Sequence, residues 1–202
     1  MKKVYMYKIF ERVWHWLQAL LIFFLALTGF EVHGSYTLFG YENAAMWHMY
    51  AGIALTVLFV LAIFWHFTTG TWRIYKPVKK GIMEQANFYM KGIFKGEPHP
   101  YVKHEEKGVI MKLNPLQRLS YIGLLCFMLP VIIITGVLYT LVANGIISSD
   151  ATMWLSIIHT FMAYVILAFV IAHVYMTTMG KTVLSGTKSM ITGYEDEEEH
   201  HS

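Results

Sequence analysis

The chain has 202 residues, of which 56% are hydrophobic and 14% charged, with a mean hydropathy of +0.46; soluble domains carry about a quarter charged residues, so an ordinary water-soluble fold is excluded. A single cysteine, Cys126, excludes a disulfide framework, a thiolate zinc site, a Cys-ligated cluster and the Cys-x-x-Cys-His covalent attachment signature. The formal net charge is +3, but all sixteen Lys and Arg fall before the first apolar run (Lys2, Lys3, Lys8, Arg12), between Arg73 and Arg118, or after the last run (Lys181, Lys188); this distribution reads as membrane topology and not as nucleic-acid binding.

Four apolar runs are long enough to cross a hydrocarbon core, which takes about 20 residues. The first, 13–30, follows a short basic segment and is expected to be a retained span, since no small-x-small cleavage site precedes a polar chain. It carries His15 near its start and Gly29 near its end, and Tyr7, Trp14 and Trp16 fit an interfacial aromatic belt. The loop after it holds His33, which is expected to be exposed. The second run, 44–67, contains His48, Gly52 and His66; the two histidines, 18 residues apart, share a helix face at about 27 Å separation.

The following segment, 68–117, is too long for a simple connector. Residues 78–95 mix lysines with Ile, Met, Phe and Tyr, the pattern of an amphipathic helix lying at a membrane surface. His99 and His104 sit among charges and prolines and read as solvated. The third run, 119–142, has Gly123, Pro130 and Gly136 and no histidine. Pro130 predicts a kink because its ring removes a helical hydrogen bond. The glycines let a helix or a flat ring approach closely, and Cys126 reads as a small buried apolar residue. The fourth run, 153–177, carries His159 and His173, and no formal charge occurs between Asp150 and Lys181. An acidic tail over 194–202 is expected to be disordered, with His200 and His201 solvated in it.

The fold class expected is therefore all-α: one integral membrane domain, a four-helix bundle with a cytoplasmic amphipathic helix between spans two and three. The positive-inside rule puts both termini and the central loop in the cytoplasm. That orientation converts histidine positions into depths. His48 and His159 fall on the outer side, and His15, His66 and His173 on the cytoplasmic side. Ionisable side chains inside a span are costly and usually functional, and neutral imidazole is a common axial ligand of haem iron. The spacing of 14 residues between His159 and His173 places them about 40° apart in azimuth and about 21 Å along the axis, so one helix could serve two stacked haems. His48 would pair with His159 around an outer haem, and His173 with either His15 or His66 around an inner one. Both haems must be held non-covalently.

At these residues the chain resembles the di-haem cytochrome b membrane subunits of respiratory complexes, among them the formate dehydrogenase gamma subunit and the cytochromes b of nickel-iron hydrogenase and thiosulfate reductase. The likeness spans all four runs. It rests on Arg12-Val-Trp-His15-Trp with Leu-Thr-Gly29, on His48-Met-Tyr-Ala-Gly52, on Asn114-Pro-Leu-Gln-Arg118 with Ile-Thr-Gly136, and on His159-Thr-Phe with His173-Val-Tyr followed by Lys181 and Gly186. It implies that His15 and His173 hold the cytoplasmic-side haem iron and His48 and His159 the outer one. His66 would then stand beside the inner haem or a quinone. The resemblance also implies a quinone site, for menaquinone or ubiquinone, near Asn114. Arg12, Lys112 and Arg118 are basic neighbours able to meet haem propionates.

The function expected is that of a membrane anchor passing electrons between a catalytic oxidoreductase with its iron–sulfur subunit and the quinone pool, in the inner membrane of a prokaryote. No residue is assigned to substrate chemistry beyond quinone reduction or quinol oxidation. A self-contained transmembrane di-haem reductase is the alternative; it needs donor and acceptor pockets that the short outer loops hardly supply. A haem-free scaffold with hydrogen-bonded histidines is a third reading, separable by a reduced-minus-oxidised spectrum.

Overall fold

The structure, a computed structural model, describes residues 3–98, 100, 104–106, 109–179 and 182–196, and side chains at 104–106, 109 and 196 are not among those described. His99, Lys103, Lys107, Lys181, the tail from 197 onward and its His200 and His201 lie outside the described residues, and so does the side chain of His104.

Four helical stretches are long and apolar enough to cross a membrane: Ile9–Val32, Tyr41–Thr69, Pro115–Ala143 and Ser149–Thr177. Each contains a run expected from hydropathy and extends past it by a few residues. The extensions carry polar side chains that find partners. In helix α1 (Ile9–Val32), Glu11 in the first turn accepts the Lys8 backbone N–H at 2.8 Å and pairs with Lys112, so the helix starts before its apolar part does. Helix α2 is Tyr41–Thr69, and its start is closed by Glu31, whose Oε1 accepts the backbone N–H groups of Leu38, Phe39 and Gly40 at 2.7, 2.7 and 2.8 Å. A carboxylate there meets the positive end of the helix.

After α2 a 3₁₀ turn covers Thr71–Tyr75. Over the stretch expected to be one amphipathic helix the chain makes α3 (Ile82–Asn87), a π turn (Phe88–Gly92) and a 3₁₀ turn (Ile93–Lys95) in succession. Gln85, Phe88 and Gly92 are buried, while Met83, Met90 and Phe94 are exposed.

Helix α4 (Pro115–Gly123) begins at a capping box. Asn114 Oδ1 accepts the Gln117 backbone N–H at 2.9 Å, the Gln117 side chain accepts the Asn114 N–H at 3.0 Å, and Pro115 fills the first helical position, where a missing N–H costs nothing. The third span then passes through a π turn, Leu124–Met128, into α5 (Leu129–Ala143). Pro130 follows directly, and a π turn is where a helix absorbs the bond that proline cannot make. Cys126 lies on this turn and is exposed, a correction to the buried position expected of it. The residue sits on the outer surface of an apolar span, where a small thiol suits lipid as well as a protein core. Helix α6 (Thr152–Thr177) and the short α7 (Ser185–Thr192) complete the helices.

Two short antiparallel pairs accompany them: β1 (Lys3–Tyr5) with β4 (Tyr194–Asp196), and β2 (His104–Glu106) with β3 (Val109–Met111). The first corrects the disorder expected of the acidic tail's opening residues. The register sets Lys3 opposite Asp196 and Tyr5 opposite Tyr194, and the two tyrosine rings lie 5.1 Å apart; a cross-strand aromatic pair favours such a ladder. Gly193 makes the turn possible, with φ +88°; an added Cβ would lie 2.8 Å from Tyr5 Cε2 and 2.9 Å from the Tyr7 carbonyl oxygen.

The chain divides into two compact units. A terminal unit comprises Met1–Arg12, Trp65–Phe127 and His173–Ser202, and a helical unit comprises Val13–Phe64 and Met128–Ala172. The helical unit is built from portions of all four spans, and its buried residues are small or polar as often as they are large: Thr28, Glu31, Ala44, Ala51, Ala62 and Thr135 stand beside Leu55, Leu129 and Leu155. Leu20, Phe23, Phe64 and Phe161 point outward. That inversion is the pattern of helices packed through small residues in lipid.

Candidate functional site

In the helical unit, α2 and α6 bring His48 and His159 opposite each other, ring centroids 6.2 Å apart and planes at 71°. Each is held from behind by a neighbouring helix. On α1, Thr28 Oγ1 lies 2.9 Å from His48 Nδ1; on α5, Thr135 Oγ1 lies 2.8 Å from His159 Nδ1. Beside each threonine is a glycine that leaves room for the ring. A Cβ at Gly29 would lie 3.2 Å from His48 Cε1, and one at Gly136 would lie 3.4 Å from His159 Cε1. Tyr139 adds an edge contact to His159, centroids 6.1 Å apart.

These residues fit a bis-histidine metal centre. A metal–imidazole bond is about 2.0 Å, and two such bonds in line, with the ring radii, bring centroids to about 6 Å. With Nδ1 held by a hydroxyl, Nε2 is the nitrogen left to serve as ligand, the arrangement in which the far ring nitrogen orients the ligand. One turn along α2 from His48, an added Cβ at Gly52 would meet nothing within 4 Å. Among the described residues no group of three or more His, Cys, Asp and Glu could hold a bare metal ion; two imidazoles suit an iron already carried in a macrocycle, which supplies its own four nitrogens.

His33, the other outer histidine, is exposed, with Nε2 3.1 Å from Thr160 Oγ1, as expected of a residue that is not a ligand. His15 also belongs to the helical unit, where it packs edge-on against Trp16, centroids 5.0 Å apart.

The terminal unit has a different character. His173 Nδ1 lies 2.9 Å from the Tyr121 hydroxyl, so a phenol stands where a threonine stands at each outer histidine. Tyr121 faces Tyr75, centroids 6.4 Å apart, and Tyr75 in turn packs edge-on against His66 at 5.1 Å, its hydroxyl 3.4 Å from Nε2. Burial pushes the Tyr75 hydroxyl well above the usual phenol range, and Glu11 adds to the push. His66 is buried, and its Nδ1 lies 2.9 Å from Thr71 Oγ1, which lies 2.9 Å from Thr69 Oγ1. Thr69 gives its own proton to the Trp65 carbonyl at 2.7 Å. The hydroxyls of Thr69 and Thr71 thus form a short chain to His66 Nδ1, with Nε2 turned to Tyr75.

Lys112 and Glu11 form an ion pair at 2.8 Å with side chains only 8% and 9% exposed. The ammonium also reaches the Met6 carbonyl at 3.3 Å and stands over the Tyr7 ring, 4.4 Å from its centroid. The ion pair closes the charge of Glu11. Arg118 is buried and its Nε donates to the Leu113 carbonyl at 2.9 Å. Arg12 Nη1 donates to the Ile191 carbonyl at 2.6 Å, whereas Arg12 Nε is buried with no hydrogen-bond partner among the described residues, a donor suited to an acid group such as a propionate.

Asn114, the expected quinone contact, is 2% exposed. Its oxygen is the helix cap, and its amide nitrogen donates to the Tyr89 hydroxyl at 2.9 Å. Burial pushes the Tyr89 hydroxyl upward, and the bonds to Asn114 and Gln85 act against that push.

Thr28, Thr135, Tyr75 and Tyr121 were not singled out as site residues by the sequence. The signal that could have found the first two is a Thr-Gly pair in each of two apolar runs, at 28–29 and 135–136.

Comparison with known proteins follows the same lines. The sequence profile of the family described as prokaryotic cytochrome b561 matches residues 6–193. A protein of Escherichia coli (strain K12) named "Putative cytochrome YdhU" is 29% identical over 201 residues, covering 96% of this chain and 75% of that protein.

Proposed function

The chain belongs to the prokaryotic cytochrome b561 family, and from that premise we propose that it is the di-haem b membrane subunit of a respiratory oxidoreductase complex. Multi-pass membrane proteins that carry haem b and transfer electrons make up this family. The observation that carries the finer reading is the facing pair of His48 and His159, each fixed through Nδ1 by a threonine of a neighbouring helix. These two residues hold an outer haem, and His15 and His173, by resemblance, the cytoplasmic-side one.

His48 and His159 would hold the iron of a haem b, which would supply a one-electron carrier suited to electron transfer. The chain does the rest. The threonines aim the ligand nitrogens, and the glycines admit the rings.

Electrons pass between an iron–sulfur partner subunit of a catalytic oxidoreductase and a quinone, menaquinone or ubiquinone, on the cytoplasmic side. The quinone reading is supported by the row of His66, Tyr75 and Tyr121 and by the buried Asn114, all in the terminal unit. Quinone reduction takes up two protons, and quinol oxidation releases them. His66 Nε2 and the Tyr75 hydroxyl are the groups able to hold such a proton. Asn114 nitrogen carries two protons, one of which goes to Tyr89, so a quinone carbonyl can take the other when Tyr89 turns aside. The clustering of basic residues, together with the pairing of β1 with β4, which joins both ends of the chain in one unit with the central loop, supports placing all three on the cytoplasmic face of a prokaryotic inner membrane.

Purification of the native complex tests this reading. A reduced-minus-oxidised spectrum with b-type bands and co-purifying iron–sulfur and catalytic subunits is expected; a haem-containing chain that purifies alone and still turns over a soluble donor would overturn the subunit assignment.

A further inference from the structure

The two outer histidines sit in half-sites that repeat each other residue for residue. On α1, Thr28 Oγ1 donates to the Phe24 carbonyl at 2.9 Å and reaches the Leu25 carbonyl at 3.3 Å. On α5, Thr135 Oγ1 donates to the Val131 carbonyl at 2.8 Å and reaches that of Ile132 at 3.1 Å. These are the fourth and third residues before the threonine in both helices. The residue after each threonine is the glycine against Cε1 of the histidine. Four elements thus recur in the same order, on helices far apart in the chain: the two carbonyls, the hydroxyl at Nδ1 and the glycine at Cε1.

The repeat suits one arrangement of protons. A hydroxyl has one proton, and each threonine has carbonyls of its own helix in reach to take it. With the proton given there, the oxygen facing Nδ1 is an acceptor, Nδ1 carries the hydrogen in both histidines, and both present an unprotonated Nε2. A packing role alone does not account for this, because valine has nearly the shape of threonine and would fill the same space in an apolar helix. What valine lacks is the acceptor.

We infer that Thr28 and Thr135 are positioning residues that set the tautomer of His48 and His159 and, by accepting the Nδ1 proton, hold the reduction potential of the outer haem down. An acceptor on Nδ1–H leaves more electron density at Nε2, and a richer donor favours ferric over ferrous iron; removal of the acceptor favours ferrous iron and raises the potential. The inference rests on the haem reading proposed above, and concerns a property that reading does not require.

The test uses Thr135→Val and Thr135→Ser in the purified native complex, with Thr28 exchanged in the same way, and reads the midpoint potentials of the b haems by redox titration followed in the visible spectrum. Partners that orient a metal ligand typically change affinity by 10–100-fold when removed; a tenfold bias towards the ferrous state reads as about 59 mV upward for a one-electron couple. Valine is expected to raise the potential of one haem by about that much, or to lose that haem, while serine keeps both haem and potential. Equal behaviour of valine and serine, whether both match the parent or both depart from it alike, overturns the inference, because the hydroxyl would then not be the cause. Retention of the outer haem in His159→Ala would instead overturn the haem reading itself.

Discussion

Two sites with histidine at their centre are built from opposite materials. Around His48 and His159 the polar partners are two threonine hydroxyls, already spent on their own helices. Around His66 and His173 stand Tyr75, Tyr121, Thr71 and, in the same compact unit, the Glu11–Lys112 ion pair. The first set can orient a ring and has no proton to spare. The second is rich in groups that can take or give one. An electron carrier that must not couple to protons suits the former surroundings, and a haem ligand beside a quinone that exchanges protons suits the latter, so the contrast sets the proposed outer haem apart from the proposed proton-handling side.

The largest effect expected is loss of a cofactor. His48→Ala or His159→Ala removes one of two haems, because the remaining imidazole ligates iron from one side only, and His15→Ala or His173→Ala removes the other. Difference spectra of the four purified variants check this; the contrast breaks if His66→Ala abolishes a haem that His15→Ala spares. Next comes the ion pair. Lys112→Met alone leaves Glu11 buried and unpaired, which costs about 3–5 kcal/mol, whereas Glu11→Leu with Lys112→Met is expected to regain most of it, as read by the thermal midpoint of the detergent-solubilised protein. Recovery would mark the pair as a structural lock; a failure of quinone turnover in a stable double variant would tie the charges to proton handling.

Glycine variants sharpen the other side. At Gly29 a methyl group makes the imidazole or the helix give, and overpacking of this kind costs about 1–3 kcal/mol, whereas at Gly136 the approach is close to an ordinary van der Waals contact. Gly29→Ala, with the closer contact of 3.2 Å against 3.4 Å, is expected to weaken outer haem retention more than Gly136→Ala, measured as haem content after dilution in detergent. The smallest effect is at Asn114. Loss of the cap in Asn114→Ala costs about 1 kcal/mol, and Asn114→Leu is expected to keep both haems while quinone turnover falls. Normal turnover in that folded variant would leave Asn114 as a cap and nothing more.

Much of this was legible in the chain. Spans are set by the length of apolar sequence, and histidines within them stand out because a polar ring in lipid needs a reason. The cap at Asn114 could be read from Asn-Pro-Leu-Gln. Depth along a helix could be counted too, so His48 and His159 were matched before their rings were seen facing. What could not be read is lateral. Thr28 and Thr135 look like ordinary helix threonines until the helix opposite is known, and Lys112 lies 101 residues from the Glu11 that claims it. Helix α1 begins before its apolar run for the same reason: Glu11 and Arg12 look unsuited to a span until their partners are in place. The backbone pairing of Tyr194–Asp196 with Lys3–Tyr5 was hidden by composition, since an acidic segment reads as solvated when its basic partner lies at the other end of the chain.

The most direct test of the account is the amount of haem per chain. A pyridine haemochrome assay on the purified complex, normalised to this chain by quantitative amino-acid analysis, should return two non-covalent b haems for the parent and one for His48→Ala and for His159→Ala. One haem or none in the parent, or two in either variant, would contradict it.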